Sequence, residues 1–121
     1  VLDLDTIMIG HWAWDFGDLA RSVLTGADDE PPVIRTLFRA LVEGFQAGAA
    51  RRLDARALAV APVYVAFMLA IRFLTDHLEG DRYFKTSHRG ENLERASRQF
   101  ALIERLPVAD LEADADEVLA R

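Results

Sequence analysis

Four aspartates, Asp3, Asp5, Asp15 and Asp18, lie close together at the start of the chain. Asp3 and Asp5 belong to Val1-Leu2-Asp3-Leu4-Asp5-Thr6, an aliphatic run that reads as a strand. Alternation along a strand puts residues 3 and 5 on one face. Two carboxylates so placed can chelate a hard divalent cation such as Mg²⁺, which takes oxygen ligands and bridges phosphate groups. The competing reading is two solvated surface acids. Asp15 and Asp18 sit in Trp14-Asp15-Phe16-Gly17-Asp18-Leu19, where a helical pattern begins. Acids there accept free backbone N–H groups and complement the helix dipole. Asp18 and Arg21 are three apart and can pair on the helix surface, for about 0.2–0.5 kcal/mol.

Arg72 is the other residue that calls for an explanation. A guanidinium among Met68, Leu69, Ile71, Phe73 and Leu74 must snorkel to water or find a partner. Asp15 and Asp18 are candidate partners; the functional alternative is a clamp reaching into a ligand cleft. Tyr83 and Lys85, in the polar stretch that follows, can face the same cleft. Other chemistries are argued against. The chain has no cysteine, which removes thiolate metal sites, disulfides and a cysteine nucleophile and fits a reducing cytoplasm. His11, His77 and His88 lack zinc-ligand spacing, and there is neither a G-x-S-x-G nor a glycine-rich phosphate loop. Trp12 and Trp14 can form an aromatic platform, although core packing is the favoured reading.

The elements that must position these residues fit one domain spanning 1–121. Hydrophobic residues make up 51% and charged residues 28%, with a net charge of −6. That charge argues against nucleic acid as a partner. The longest uncharged run, Ala57 to Ile71, is shorter than the roughly 20 residues of a membrane span and reads as a buried core helix. No basic segment leads into a hydrophobic one at the N-terminus, so neither a signal peptide nor a membrane is expected.

Val1 to Asp5 and Ile7 to Ile9 predict a small β-hairpin at the N-terminal edge. A helix is expected from about Asp15, using Phe16, Leu19, Ala20, Val23 and Leu24, and stopping at Gly26. A second should run from about Pro32 to Ala49 after a cap in Asp28-Asp29-Glu30. Val33, Leu37, Leu41 and Phe45 form one stripe of it, and Ile34, Phe38 and Val42 lie beside that stripe. Arg51 and Arg52 would suit its negative end. Asp54 can cap a third helix, which Pro62 should kink or divide and whose inner face would be Val63, Phe67, Ile71, Leu74 and Leu78. Gly80 ends it and a loop spans 81–89. A further helix from Asn92 to Leu106 uses Leu93, Ala96, Phe100 and Ile103, and Pro107 breaks it. The acidic tail from Asp110 is either a terminal helix or frayed. The fold class is therefore mainly α.

Taken in order, Val1-Leu2-Asp3-Leu4-Asp5-Thr6, Asp15-Phe16-Gly17-Asp18, Arg72-Phe73-Leu74-Thr75-Asp76, Gly80-Asp81-Arg82-Tyr83-Phe84-Lys85 and Asn92-Leu93 resemble the C-terminal part of the aminoglycoside phosphotransferase/choline kinase-like superfamily. The nearest branch is the N-acetylhexosamine kinases, and the resemblance runs from residue 1 to about residue 106. It implies the helical C-lobe of a protein-kinase-like fold and transfer of a phosphoryl group from ATP to a hydroxyl. Asp3 matches the Mg²⁺-binding aspartate. Asp5, Arg72 and Tyr83 match positions near the acceptor sugar. Asp15 matches the helix-start aspartate that braces the catalytic loop, with Asp18 beside it. The nucleotide-binding lobe, the catalytic loop and its base all precede the Asp3 position in the family, so this segment alone is expected to be inactive. The family histidine before Asn92 is replaced by Glu91. Two alternatives stay open. One is a phosphotransferase for an aminoglycoside, choline or another alcohol. The other is a non-catalytic helical interaction module, dimeric through apolar surface that the missing part would otherwise cover.

Overall fold

His11 opens the first helix: its Nδ1 accepts a hydrogen bond from the Ala13 N–H at 3.2 Å, satisfying a donor that a helix start leaves free. Helix α1 (Trp12–Thr25) therefore begins three residues before the Asp15 expected from the apolar pattern. The structure, a computed structural model, describes residues 9–27 and 30–121. The first strand of the expected hairpin, most of the second, and the Asp28-Asp29 cap lie outside the described residues. Ile9 is described and is not in a strand; among the described residues there is none. The protein is mainly α.

Four more helices follow: α2 (Pro31–Gly48), α3 (Ala55–Leu78), α4 (Glu91–Arg105) and α5 (Val108–Leu119). Pro31 and Pro32 stand at the entry of α2, where a missing N–H costs nothing. Its N-cap is Glu30, which makes no side-chain cap. Asp54 caps α3 as expected, accepting from the Ala57 N–H at 2.7 Å. Pro107 separates α4 from α5. The acidic tail is not frayed: Leu111, Ala115, Val118 and Leu119 of α5 are buried in the common core.

Helix α3 is the centre of the fold and packs against α1, α4 and α5. Pro62 does not divide it; the helix runs unbroken on both sides and Pro62 is buried. Packing on three sides outweighs the single backbone bond that proline removes. Of the expected inner face, Val63 does pack against the core and Leu74 is partly buried; the rest is corrected. Ala55, Leu58, Ala59, Ala61, Val65, Ala66 and Ala70 are buried. Phe67, Ile71 and Leu78 point outward, the first 52% and the last 76% exposed. Small side chains let neighbouring helix backbones approach closely, so the alanine side of α3 faces the core and the bulky side does not.

The tightest approach is at Gly17. A β-carbon there would lie 2.6 Å from the Ala61 carbonyl oxygen and 2.8 Å from Val65 Cγ2. The buried stripe of α1 is accordingly Ala13, Phe16, Gly17, Ala20 and Leu24, and Leu19 faces outward. On α2 the core stripe is Ile34, Phe38 and Val42, with Leu37, Leu41 and Phe45 partly buried beside it. Phe16 packs edge-on against both Phe38 and Phe45. On α4, Asn92, Ala96, Gln99 and Leu102 are buried and Leu93 is exposed.

Two polar devices hold the periphery. Asp114 on α5, only 2% exposed, accepts from Arg35 Nε at 2.7 Å and from Arg39 Nη1 at 2.8 Å, fixing α5 against α2. Gln46 ties the α2–α3 connection, donating to the Arg51 carbonyl and accepting from the Leu53 N–H. Arg51 and Arg52 lie beyond the last turn of α2 rather than on it, and Arg52 meets Asp116 at 4.0 Å.

The Gly17 contact gives a prediction. Gly17→Ala overpacks the α1–α3 contact and should destabilise by about 1–3 kcal/mol despite the helix preference for alanine. Gly44→Ala on α2, where an added β-carbon meets nothing within 4 Å, should stabilise by roughly 0.5–1 kcal/mol. Urea denaturation of both variants checks this; a stabilised Gly17→Ala protein would contradict the packing described.

Candidate functional site

Two of the residues singled out from the sequence, Arg72 and Tyr83, meet near the C-terminal end of α3. Asp76 lies in the last turn of α3, where a carboxylate opposes the helix dipole and needs other donors. It finds them in the following loop. Its Oδ1 accepts from the Tyr83 N–H at 2.8 Å and its Oδ2 from the Phe84 N–H at 3.0 Å. Oδ2 also accepts from Asn92 Nδ2, on the first turn of α4, at 2.7 Å. Both Asp76 and Asn92 are buried. Burial alone would raise the pKa of Asp76. The N–H groups of Phe84, Tyr83 and Arg82 and the Asn92 amide outweigh burial and hold the carboxyl below its usual range.

The loop backbone is shaped to fit. Gly80 has φ +92° and Asp81 φ +60°, both left-handed. Glycine takes that region freely; aspartate does so at some cost. Asp81 is held there from two sides, its N–H donating to the Asp76 carbonyl and its Oδ1 accepting from Asn92 Nδ2 at 2.9 Å. Arg95 extends the network, donating to Asn92 Oδ1, Glu91 Oε1 and the Lys85 carbonyl. Glu91 accepts from the Ser87 N–H and hydroxyl. Those bonds, led by the Ser87 N–H, hold its pKa low.

This clamp presents Tyr83 and Phe84 to Arg72. The guanidinium carbon lies 5.5 Å from the Tyr83 ring centre and 5.4 Å from that of Phe84, within cation–π range. Phe73 packs on Phe84 from behind at 4.7 Å between centroids. Arg72, Tyr83 and Phe84 line a cleft of about 320 Å³ together with Thr75, Asp76 and Glu79. A second cleft of about 370 Å³, between α1 and α3, is lined by Trp14, Asp18, Tyr64, Met68 and Arg72. Arg72 is thus the wall shared by both.

The structure brings Arg72 and Tyr83 together as expected and puts Asp18 across the neighbouring cleft. It does not give Arg72 a carboxylate partner in Asp15 or Asp18. Asp18 pairs with Arg21 at 2.8 Å, and Arg72 is exposed and stacked on rings instead. Asp15 is exposed in the first turn of α1, where it complements the dipole. Lys85 contributes its carbonyl to Arg95 rather than its ammonium to the cleft. The two tryptophans divide: Trp12 packs on the core beside Phe45, and Trp14 is 52% exposed. Asp3 and Asp5 lie outside the described residues. Among the described residues no cluster of three or more histidine, aspartate or glutamate side chains can hold a metal ion.

The Asp76–Asn92 pair is the feature that sequence reasoning did not find. Its signal was available: an acid in the last turn of a helix, ahead of Gly80 and a polar loop, is a misplaced charge unless loop N–H groups reach it.

Because Asp76, Glu91 and Asp114 all have depressed pKa values when folded, their stabilisation is present above the unfolded carboxylate values of about 4 and is lost as pH falls from there through the lower folded values. Melting temperature should fall progressively below about pH 5. Asp76→Asn should lower it by several degrees at pH 7, and the gap to the parent chain should narrow by pH 3. A gap independent of pH would show that the charge of Asp76 does not hold the loop.

No protein-family model matches the chain, and no solved structure matches it.

Proposed function

We propose that this chain is the C-terminal portion of an ATP-dependent small-molecule phosphotransferase and that it supplies the acceptor side of the reaction, the acceptor being a sugar of the N-acetylhexosamine kind. The observation that carries the reading is the meeting of Arg72 with Tyr83 in one cleft. These two residues were singled out from sequence as acceptor contacts, and they lie eleven positions apart on different elements. The order of the motifs around them supports the same reading.

The chemistry of the cleft suits a polyhydroxylated ligand. A guanidinium offers several N–H donors in a fixed plane, Glu79 offers an acceptor, and the Tyr83 ring offers an apolar face with a hydroxyl at its edge. Stacking of Arg72 on two rings limits its rotamers, which lowers the entropy lost when a ligand is held. The cleft volume lies at the small end of the range of about 300–1,000 Å³ usual for ligand sites. Phosphoryl transfer relies on positioning and charge neutralisation, with Mg²⁺ bridging the nucleotide phosphates. The proposal gives the described residues acceptor positioning and none of the metal or nucleotide chemistry. Asp3 and Asp5 remain the proposed metal-side and acceptor-side carboxylates, and Asp15 and Asp18 the proposed supports.

A second reading, a helical interaction module, is favoured by one observation: Tyr64, Phe67 and Leu78 on the bulky apolar side of α3 are at least half exposed.

The purified chain should show no sugar phosphorylation in an ATP turnover assay with Mg²⁺. N-Acetylglucosamine titrated into isotope-labelled protein should shift resonances of Arg72, Thr75, Glu79 and Tyr83, with millimolar affinity weakened at least about tenfold by Arg72→Ala. Turnover by the chain alone, or shifts unaffected by Arg72→Ala, would overturn the proposal.

A further inference from the structure

The cleft between α1 and α3 has no part in the acceptor reading. Trp14 and Tyr64 supply its rings, Met68 and Leu69 its aliphatic wall, and Asp18 and Arg72 its two charges. Its volume of about 370 Å³ is within the range of small-ligand sites, which are lined mostly by apolar and aromatic groups with a few polar ones. Trp14 and Tyr64 are each about half exposed. Neither meets another ring among the described residues. The backbone at Gly10 lies against the indole, since a β-carbon added there would be 3.2 Å from Trp14 Cζ3. The indole is thus backed by the chain ahead of α1 while half of its surface stays open.

The two charges of the cleft are not equivalent. Asp18 is already neutralised, its Oδ1 accepting from Arg21 Nη2 at 2.8 Å and Nε at 3.2 Å. Arg72 makes neither an ion pair nor a hydrogen bond among the described residues; it meets only the rings of Tyr83 and Phe84. A ring face attracts a guanidinium without cancelling its charge or occupying its N–H donors. The uncompensated charge of the cleft is therefore a single positive one, beside apolar walls. We propose that this cleft binds a small organic monocarboxylate with a planar aromatic body, its carboxylate on Arg72 and its ring against Trp14 and Tyr64.

The charges select this class over its neighbours. A guanidinium fits a carboxylate with two parallel N–H donors. A dianion such as a phosphate monoester would find one cation only and would face the Asp18 carboxylate. An ammonium ligand would have to displace Arg21 from Asp18 and would face Arg72. The proposal does not depend on the acceptor reading: Trp14, Tyr64 and Met68 line this cleft and not the one that holds Thr75, Glu79 and Tyr83.

The test uses three indoles of one shape and different charge, titrated into the isotope-labelled 121-residue chain. Indole-3-acetate should shift the Trp14 indole N–H and the Met68 methyl with a Kd of about 1 mM or below, and neutral indole-3-acetamide and cationic tryptamine should bind at least about tenfold more weakly. Trp14→Ala and Arg72→Gln should each weaken indole-3-acetate about tenfold, whereas Asp18→Asn should not weaken it. Trp14 and Arg72 are exposed, so helical circular dichroism should be unchanged; should Trp14→Ala lose it, Tyr64→Ala replaces that variant with the same expectation. Equal binding of the three probes, preference for tryptamine, shifts indifferent to Arg72→Gln, or no shift up to about 10 mM each overturn the proposal. The sugar titration is read at Thr75, Glu79 and Tyr83, so failure of one proposal is distinguishable from failure of the other.

Discussion

The candidate site depends on one buried carboxylate. Asp76 is the point where the end of α3, the loop that follows and the start of α4 are tied together. Without it, the N–H groups of Tyr83 and Phe84 would need water, and the Asn92 amide would lose its main acceptor. A buried polar group is tolerated only when its partners are present, and here each element supplies part of the set. The aromatic pair that flanks Arg72 is therefore positioned by backbone hydrogen bonds to a helix, with Phe73 packed on Phe84 in support. That is how a loop residue such as Tyr83, itself 75% exposed, keeps a defined relation to α3.

The same helix organises the rest of the molecule through the contrast between its two sides. The alanine side admits α1 to within contact distance at Gly17 and Ala61 and buries Ala59, Ala66 and Ala70 completely. The opposite side carries bulky residues: Phe67 meets Phe100 of α4 edge-on, while Tyr64, Phe67 and Leu78 stay at least half exposed. A helix apolar on all sides usually lies deep in a core or meets a second apolar surface. Here three neighbours satisfy only part of that demand. The acceptor reading rests on the polar C-terminal turn of this scaffold.

Much of this was legible from sequence where local chemistry decides. Asp54 as a cap, Gly26 and Gly80 as stops, Pro31-Pro32 as an entry and Pro107 as a break each act within a few residues. The start of α1 was missed because His11 takes a capping role more often filled by serine, threonine, aspartate or asparagine. The inner face of α3 was misassigned for a different reason. Periodicity reveals a stripe, but α3 carries two, one bulky and one small. Only the closeness of α1, α4 and α5 determines which is buried. Pro62 reads as a kink or a division locally, and the division is overridden by tertiary packing. Arg72 and Tyr83 could be grouped by resemblance, whereas the carboxylate that brings them together could not be grouped by any local rule.

The account makes the loop after α3 a fixed part of the structure, held by Asp76, and amide hydrogen exchange reads that most directly. The Tyr83 and Phe84 amides should exchange as slowly as the core amides of α3, and both should become fast together when Asp76 is replaced by alanine while the amides of α1 and α2 stay protected. Fast exchange at both positions in the parent chain would contradict the clamp and, with it, the site built on it.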